Sequence, residues 1–214
     1  NCIVSTSETI NHAEILDVTI ELGSNLYNVR GSMLEINLFE SLNLASVSGD
    51  ITFIDSHRLF EFLVGGENVI IKFILCDITY TLPMICYSVK GKIIDERGGA
   101  ISMSLVQPHF FNNYTQSAAG MYDDNCAIIM AKILNNLSVG VRIAEEGTKQ
   151  TKQLSIPHMR PLEAVEIIRK ESSSPNGNKM FVYGSLREGV VIDSLDKMLE
   201  RESMDGLFRY GVAE

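Results

Sequence analysis

Tryptophan is absent from the 214 residues, and aromatic side chains make up only 7% of them. That scarcity counts against a sugar-binding platform, which relies on broad aromatic faces. Cysteine is sparse too: Cys2, Cys76, Cys86 and Cys126 are far apart, form no C-x-x-C pair, and three of them sit among apolar neighbours. A disulfide framework and a zinc ribbon are therefore disfavoured, and free buried thiols formed in a reducing compartment are expected. Long apolar runs are missing as well. Val69-Ile70-Ile71 is broken at Lys72, far short of the roughly 20 apolar residues a membrane span needs. No membrane insertion is expected. Residues 1–9 are polar, with no basic start leading into an apolar stretch, so no signal peptide is read there. The chain opens on Asn1 and trails off at Tyr210-Gly-Val-Ala-Glu214, as either processing or a fragment of a longer protein would leave it.

Positive charge is also short, with 18 Lys and Arg against 27 Asp and Glu, a net charge of −9 and an isoelectric point near 5.0. An acidic surface repels a phosphate backbone, so stable nucleic-acid binding is disfavoured. Two accounts of the charge stay open at this point: plain solubility, and a surface that nucleic acid must slide past. What the chain has in quantity is ordinary globular material, 45% hydrophobic and 21% charged. That is enough for one large domain or two small ones.

The first half alternates apolar and polar residues at the period of a strand. Strands are predicted over 15–22, ended by Gly23-Ser-Asn25, then over 33–39 and 44–54, with Gly49 read as a bulge. A short helical turn over 57–63 leads to Gly65-Gly66-Glu67 and a strand over 68–75. Strands over 80–82, 84–94 and 100–106 follow, the last two joined at Asp95-Glu-Arg-Gly-Gly99, where paired glycines suit a tight turn. Six or seven short strands of this kind predict a small antiparallel barrel or sandwich.

The pattern changes at Gln107-Pro108. Asp123, Asp124 and Asn125 offer N-caps, and Cys126, Met130, Ile133, Leu134 and Leu137 share one helical face. A strand is read over 141–144, and a polar loop through Thr151 leads to Leu154-Ser-Ile156. Pro161 suits the first position of a second helix, with Leu162, Val165 and Ile168 inward. Residues 172–178 read as a loop, 180–183 with 189–192 as a hairpin, and Asp193 as the cap of a short helix over 194–201. The fold class expected is α+β, an N-terminal antiparallel β-barrel over residues 1–108 followed by a mixed α+β domain over 109–214.

Motifs that carry chemistry are hard to find. Gly98-Gly99 joins two strands and does not cradle phosphate before a helix. His12, His57, His109 and His158 are scattered, with no paired metal-ligand spacing. Tyr122-Asp-Asp-Asn125 lacks the remaining calcium-loop ligands and reads as capping. Glu61, Glu67, Asp95 and Glu96 lie in or beside turns, where carboxylates are expected without any hydrolytic role. The nucleophile elbow Gly-x-Ser-x-Gly is missing. No catalytic residue, metal ligand or cofactor is assigned, although a site assembled from distant residues leaves no local signature.

Segment order carries a further reading. Val47-Ser-Gly-Asp-Ile-Thr-Phe-Ile-Asp55, a short helical stretch, and Leu63-Val-Gly-Gly-Glu-Asn-Val-Ile-Ile-Lys-Phe73 resemble the first barrel of tail hub proteins of contractile-tailed bacteriophages. In that family a strand ending in an Ile-x-Asp-like turn is followed by Gly-Glu before the next strand. Gln107-Pro-His-Phe-Phe111 with residues 125–137, Ile156-Pro-His-Met-Arg-Pro-Leu-Glu-Ala164 and residues 180–195 resemble its later segments. The similarity covers about residues 15–199, and its motifs are short, so their order and spacing carry it.

The resemblance implies a non-enzymatic structural protein of the virion, a baseplate hub ring that joins tail tube to spike and is assembled in the host cytoplasm. It implies a homotrimer, with spike, tail tube, other baseplate proteins and tape-measure protein as partners, and genome DNA passing only through the lumen. Hub proteins of this type carry two similar barrels, whereas one is evident here; a second would need strands after Glu214. The rival readings are a cell-wall hydrolase carried in the tail and a receptor- or glycan-binding module.

Overall fold

The computed structural model describes residues 14–201, apart from 57, 76–77, 96–97, 146–147 and 149–150. Cys2, Cys76, His12, His57 and Glu96 lie outside the described residues.

Alternation along the first half produces seven strands in one antiparallel sheet. They are β1 (Glu14–Leu22), β2 (Asn25–Asn28), β3 (Met33–Phe39), β4 (Ser48–Ile54), β5 (Asn68–Leu75), β6 (Ile78–Asp95) and β7 (Gly98–Val106), in the spatial order β2-β1-β5-β6-β7-β4-β3. The sheet curls into a half-barrel. Every second side chain points into its concave face: Val18 and Ile20, Ile51 and Phe53, Val69 and Ile71, Met103 and Leu105 are all buried there. Each such side chain taken fully from water contributes about 1.5–3 kcal/mol.

Several details differ from the sequence-based expectation. Residues 25–28, read as chain after a strand end, form β2, which folds back on β1 through a turn in which Gly23 has φ +62°. Gly49 is not a bulge. It pairs in register with Leu38 and Leu105, and a Cβ there would lie 2.7 Å from the Asn37 carbonyl oxygen, so it permits close approach of β3. The two strands predicted around Pro83 are one strand of 18 residues. Proline is tolerated because the part of β6 before Ile85 pairs with β5 alone, and pairing with β7 begins only at Ile85. The missing N–H removes no ladder bond to β7. At Tyr87 a bulge between Cys86 and Ser88 shifts the inward positions from Leu82, Met84 and Cys86 to Val89. Gly98 and Gly99 belong to β7, opposite Asp95 and Ile93, and the connection between the strands is residues 96–97, outside the described set.

The second half is built around α2 (Cys126–Asn135), capped by Asn125, whose side chain accepts the Ile128 N–H at 2.9 Å. Cys126, Met130, Ile133 and Leu134 are buried as expected, and Leu137 beyond the helix joins them. Ala127, Ile129 and Ala131 are buried too. The helix is therefore covered on most of its circumference by α3 (Pro161–Glu171), β9 (Val141–Ile143), β10 (Thr151–Ile156), β11 (Met180–Ser185) and β12 (Gly189–Ser194). β11 and β12 form the expected hairpin, and β9 adds to β12 in parallel.

In this half two elements were not anticipated: α1 (Pro108–Thr115) and β8 (Gly120–Asn125), which pairs with β10. Asp123 and Asp124 are therefore strand residues and not caps. Asp124 instead accepts Lys132 Nζ at 2.9 Å. The last helix, α4 (Leu195–Glu200), is capped by Ser194, which accepts the Lys197 N–H at 3.2 Å, and not by Asp193. The fold class is α+β, an antiparallel curled sheet followed by a mixed segment.

Candidate functional site

The residues that carry the sequence resemblance turn out to hold backbone. Asp55 follows β4 and accepts the N–H groups of Leu59 at 2.6 Å and Phe60 at 3.1 Å, fixing the start of a 3-10 turn over Leu59–Glu61. Glu67 precedes β5, and its carboxylate accepts the N–H groups of Val64 at 2.7 Å and Gly65 at 3.0 Å. The chain can fold back this sharply because Gly65 and Gly66 both take φ +98°, a region that costs other residues strain. Cys86 sits against this turn, its N–H donating to the Glu67 carbonyl at 2.9 Å. Burial and the adjacent Glu67 carboxylate push its thiol up to about 11, so it is held as the unreactive thiol.

The other scattered polar residues have similar employment. His109 is buried, and its Nε2 lies 2.6 Å from the Ala45 carbonyl oxygen. A carbonyl only accepts, so the neutral ring donates from Nε2. Burial lowers the His109 pKa, partly offset by the Ala45 bond. Its helix neighbours Asn112 and Asn113 reach the Leu137 carbonyl at 3.1 Å and the Leu162 N–H at 2.8 Å. Helix α1 thus ties together three remote segments. Asp193 is fully buried, accepts its neighbour Ser194 N–H at 2.9 Å and pairs with Arg201, while the buried Glu145 accepts Ser194 Oγ at 3.1 Å. Of the carboxylates considered for hydrolysis, Glu67 closes a turn, Glu61 lies in the 3-10 turn, and the structure brings neither into a shared cleft with the other. Among the described residues no group of three or more His, Cys, Asp or Glu is arranged to hold a metal ion, and no helix is long and apolar enough to cross a membrane.

Two surface features stand out instead. The first is the pair of sheet edges. Among the described residues β2 and β3 each have a neighbour on one side only, and they carry exposed apolar side chains: Leu26 at 68% exposure, Leu34 at 55% and Phe39 at 50%. Unpaired edges with apolar side chains are unusual unless something covers them. The second is a groove of ≈ 940 Å³ where the sheet meets the second half. Its walls are residues 43–46, then Ser48, Tyr87 and Val106 of the sheet, one side of α1, one side of α3, and Val182 of β11. Leu44, Tyr87, Tyr114 and Ile167 stand half-exposed around it. Sequence reasoning missed both features. The apolar residues at β3 were legible, but the groove is assembled from five segments with no shared local signal.

No protein-family model matches this chain, and no curated protein matches it. Solved structures do. The 43 kDa tail protein of prophage MuSo2 from Shewanella oneidensis superposes with a TM-score of 0.55 at 14% identity, covering 83% of this chain and 54% of that one. The tail protein from Neisseria meningitidis MC58 superposes with a TM-score of 0.51 at 10% identity, covering 82% and 49% respectively. A chain of the Francisella PdpA-VgrG complex in its half-lidded form aligns with a TM-score of 0.48 at 14% identity, over 93% and 34%. The chain spans about half the length of the two tail proteins. At these identities the likeness is one of fold: this chain shares the fold of these two tail proteins over most of its length.

Proposed function

We propose that this protein is a structural, non-enzymatic component of a phage-type tail, and that it forms the central hub ring joining the tail tube to the spike in the baseplate of a contractile tail. The observation that carries the proposal is the curled half-barrel, shared with tail proteins, whose two edges meet no further strand among the described residues and are lined by Leu26, Leu34 and Phe39. Open edges of this kind suit lateral association, since a neighbour satisfies the backbone groups and covers the apolar side chains together. The assembly is a homotrimer, with tail tube, spike, other baseplate proteins and tape-measure protein as partners. It is located in the virion and put together in the host cytoplasm.

In this reading residues 1–108 and 109–214 are two domains, a division supported by two separate buried clusters, one inside the sheet and one around α2. The net charge of −9 fits a lumen through which DNA passes without sticking, because each Lys or Arg on phosphate would strengthen binding. Native mass spectrometry and electron microscopy of the particle test the proposal. A closed ring of this chain at the tube–spike junction supports it. A chain that stays monomeric at assembly concentrations, or a lumen lined mainly by Lys and Arg, overturns it. Cleavage of peptidoglycan by the purified protein would favour the tail-borne hydrolase instead.

A further inference from the structure

Asparagine followed by glycine occurs once in the chain, at Asn176-Gly177, in the loop between α3 and β11. The pair is chemically fragile, because glycine has no side chain to shield its backbone nitrogen from the asparagine side-chain carbonyl carbon. Elsewhere the residue after asparagine is bulkier: Leu44 follows the exposed Asn43, and Leu137 follows the exposed Asn136. Asn112, Asn113 and Asn125 are tied as well, each side chain bonding a backbone group.

The fold leaves this pair open to reaction. Asn176 and Gly177 are exposed, and a Cβ at Gly177 would meet nothing within 4 Å. Gly177 takes φ +89°, a region glycine enters without strain. The turn is closed by the Gly177 N–H, which donates to the Ser174 carbonyl at 2.9 Å; at exposed loop residues, local opening takes little free energy. The loop is fastened to α4. In the first turn of that helix the Asp196 carboxylate accepts Ser174 Oγ and the side-chain amides of Asn178 and Asn176. The Ser174 hydroxyl, helped by the two amides, holds the Asp196 carboxyl below its ordinary value, so it faces Asn176 as an anion.

We propose that Asn176 is a site of spontaneous covalent modification, and that its conversion loosens α4. The Gly177 backbone nitrogen gives up its proton to water and attacks the Asn176 side-chain carbonyl carbon. The new carbon–nitrogen bond closes a cyclic succinimide, and the old one breaks to release ammonia. Water then adds to either ring carbonyl and opens it, leaving aspartate or isoaspartate with no change in oxidation state. The product puts a carboxylate where Asp196 had a hydrogen-bond donor, and neighbouring like charges repel. The inference goes beyond the ring reading and does not depend on it.

The test incubates the folded chain at mildly alkaline pH in heavy-oxygen water, digests it, and reads the peptide spanning Asn176 by mass spectrometry. Conversion at Asn176 with uptake of a labelled oxygen is expected, while peptides holding Asn43 and Asn136 keep their amides and Asn176→Gln stays unconverted. Hydrogen exchange reads the consequence. Backbone amides of Leu195–Glu200 should exchange about two- to tenfold faster both in Asn176→Asp and in the aged parent. The aged parent decides the point if the variant folds poorly. Persistence of the Asn176 amide in the folded chain, while the urea-unfolded chain loses it, overturns the inference. So does α4 exchange that is unchanged in the converted protein.

Discussion

Replacing Gly184 by alanine tests whether the sheet and the α2-centred half are locked together where the structure places the joint. A methyl group at Gly184 would lie 2.7 Å from the Ser46 carbonyl carbon and 2.8 Å from its Cα and N. These are backbone atoms, and they cannot swing aside as a side-chain tip does. β11 must therefore move away from residues 44–46 and stretch the 2.8 Å Gly184 N–H to Leu44 carbonyl bond. Overpacking of this kind costs about 1–3 kcal/mol, and the lost hydrogen bond about 0.5–1.5 kcal/mol. Together they predict a loss of about 1.5–4.5 kcal/mol, or a fall in Tm of about 3–18 °C for a chain of this size. Thermal unfolding followed by circular dichroism measures it. Gly140→Ala is the control, because a methyl there meets nothing within 4 Å and should shift stability by no more than about 0.5 kcal/mol. A Gly184→Ala protein that melts with the parent, or two glycine variants that behave alike, would refute the joint.

Ile133→Asp places a charge at a fully buried position of α2 and is expected to cost several kcal/mol, around 4 or more, or prevent folding; urea denaturation measures it, and a parent-like midpoint would mean the helix is not in the core. His109 predicts a pH effect whose sign follows from its lowered pKa. The unfolded chain takes up the proton as pH falls through about 6.5 while the folded chain resists it, so stability is full above that value and is lost as pH drops toward the lowered folded value. Urea midpoints should fall between pH 7.5 and 5.5, and His109→Gln should flatten that window; equal slopes in parent and variant would dismiss the assignment.

Elements whose partners lie on the same alternating face were legible from the residues alone. β3 and β5 are legible to the residue because Met33–Phe39 and Asn68–Leu75 are apolar-rich runs bounded by turn signals. Helices α2 and α3 were legible from Asn125 as cap and Pro161 at the first position. The missed elements draw their stability from elsewhere in the chain. Helix α1 contains two asparagines and a threonine, weak helix formers, and is held because Asn112, Asn113 and His109 bond Leu137, Leu162 and Ala45. Its one local signal was Pro108 directly after a strand. β8 is polar, and its partner β10 begins 26 residues after β8 ends, too far for any local pattern to show. Capping chemistry does not distinguish Asp193 from Ser194 in the sequence; in the fold Ser194 accepts the Lys197 N–H and Asp193 pairs with Arg201. The groove was invisible for the same reason as β8, since contact across remote segments creates it.

A common thread runs through the polar residues that first drew notice. Asp55, Glu67, Gln107, His109, Asn113 and Asn125 each bond a main-chain group at a turn, a helix end or a segment junction. Their side chains are fixed by what they hold, and the backbone groups they satisfy would otherwise be costly to bury. A catalytic constellation needs polar groups that converge on a substrate and leave bonding capacity free for it. The wiring seen here consumes that capacity inside the chain and converts it into rigidity at the points where strands turn and where the two buried clusters meet. Rigid junctions beside sheet edges that are open among the described residues would suit the proposed ring subunit, since packed cores transmit strain and do not absorb it. In the proposed ring, side chains such as those of Asp55, Glu67 and His109 would serve by holding the shape at these junctions.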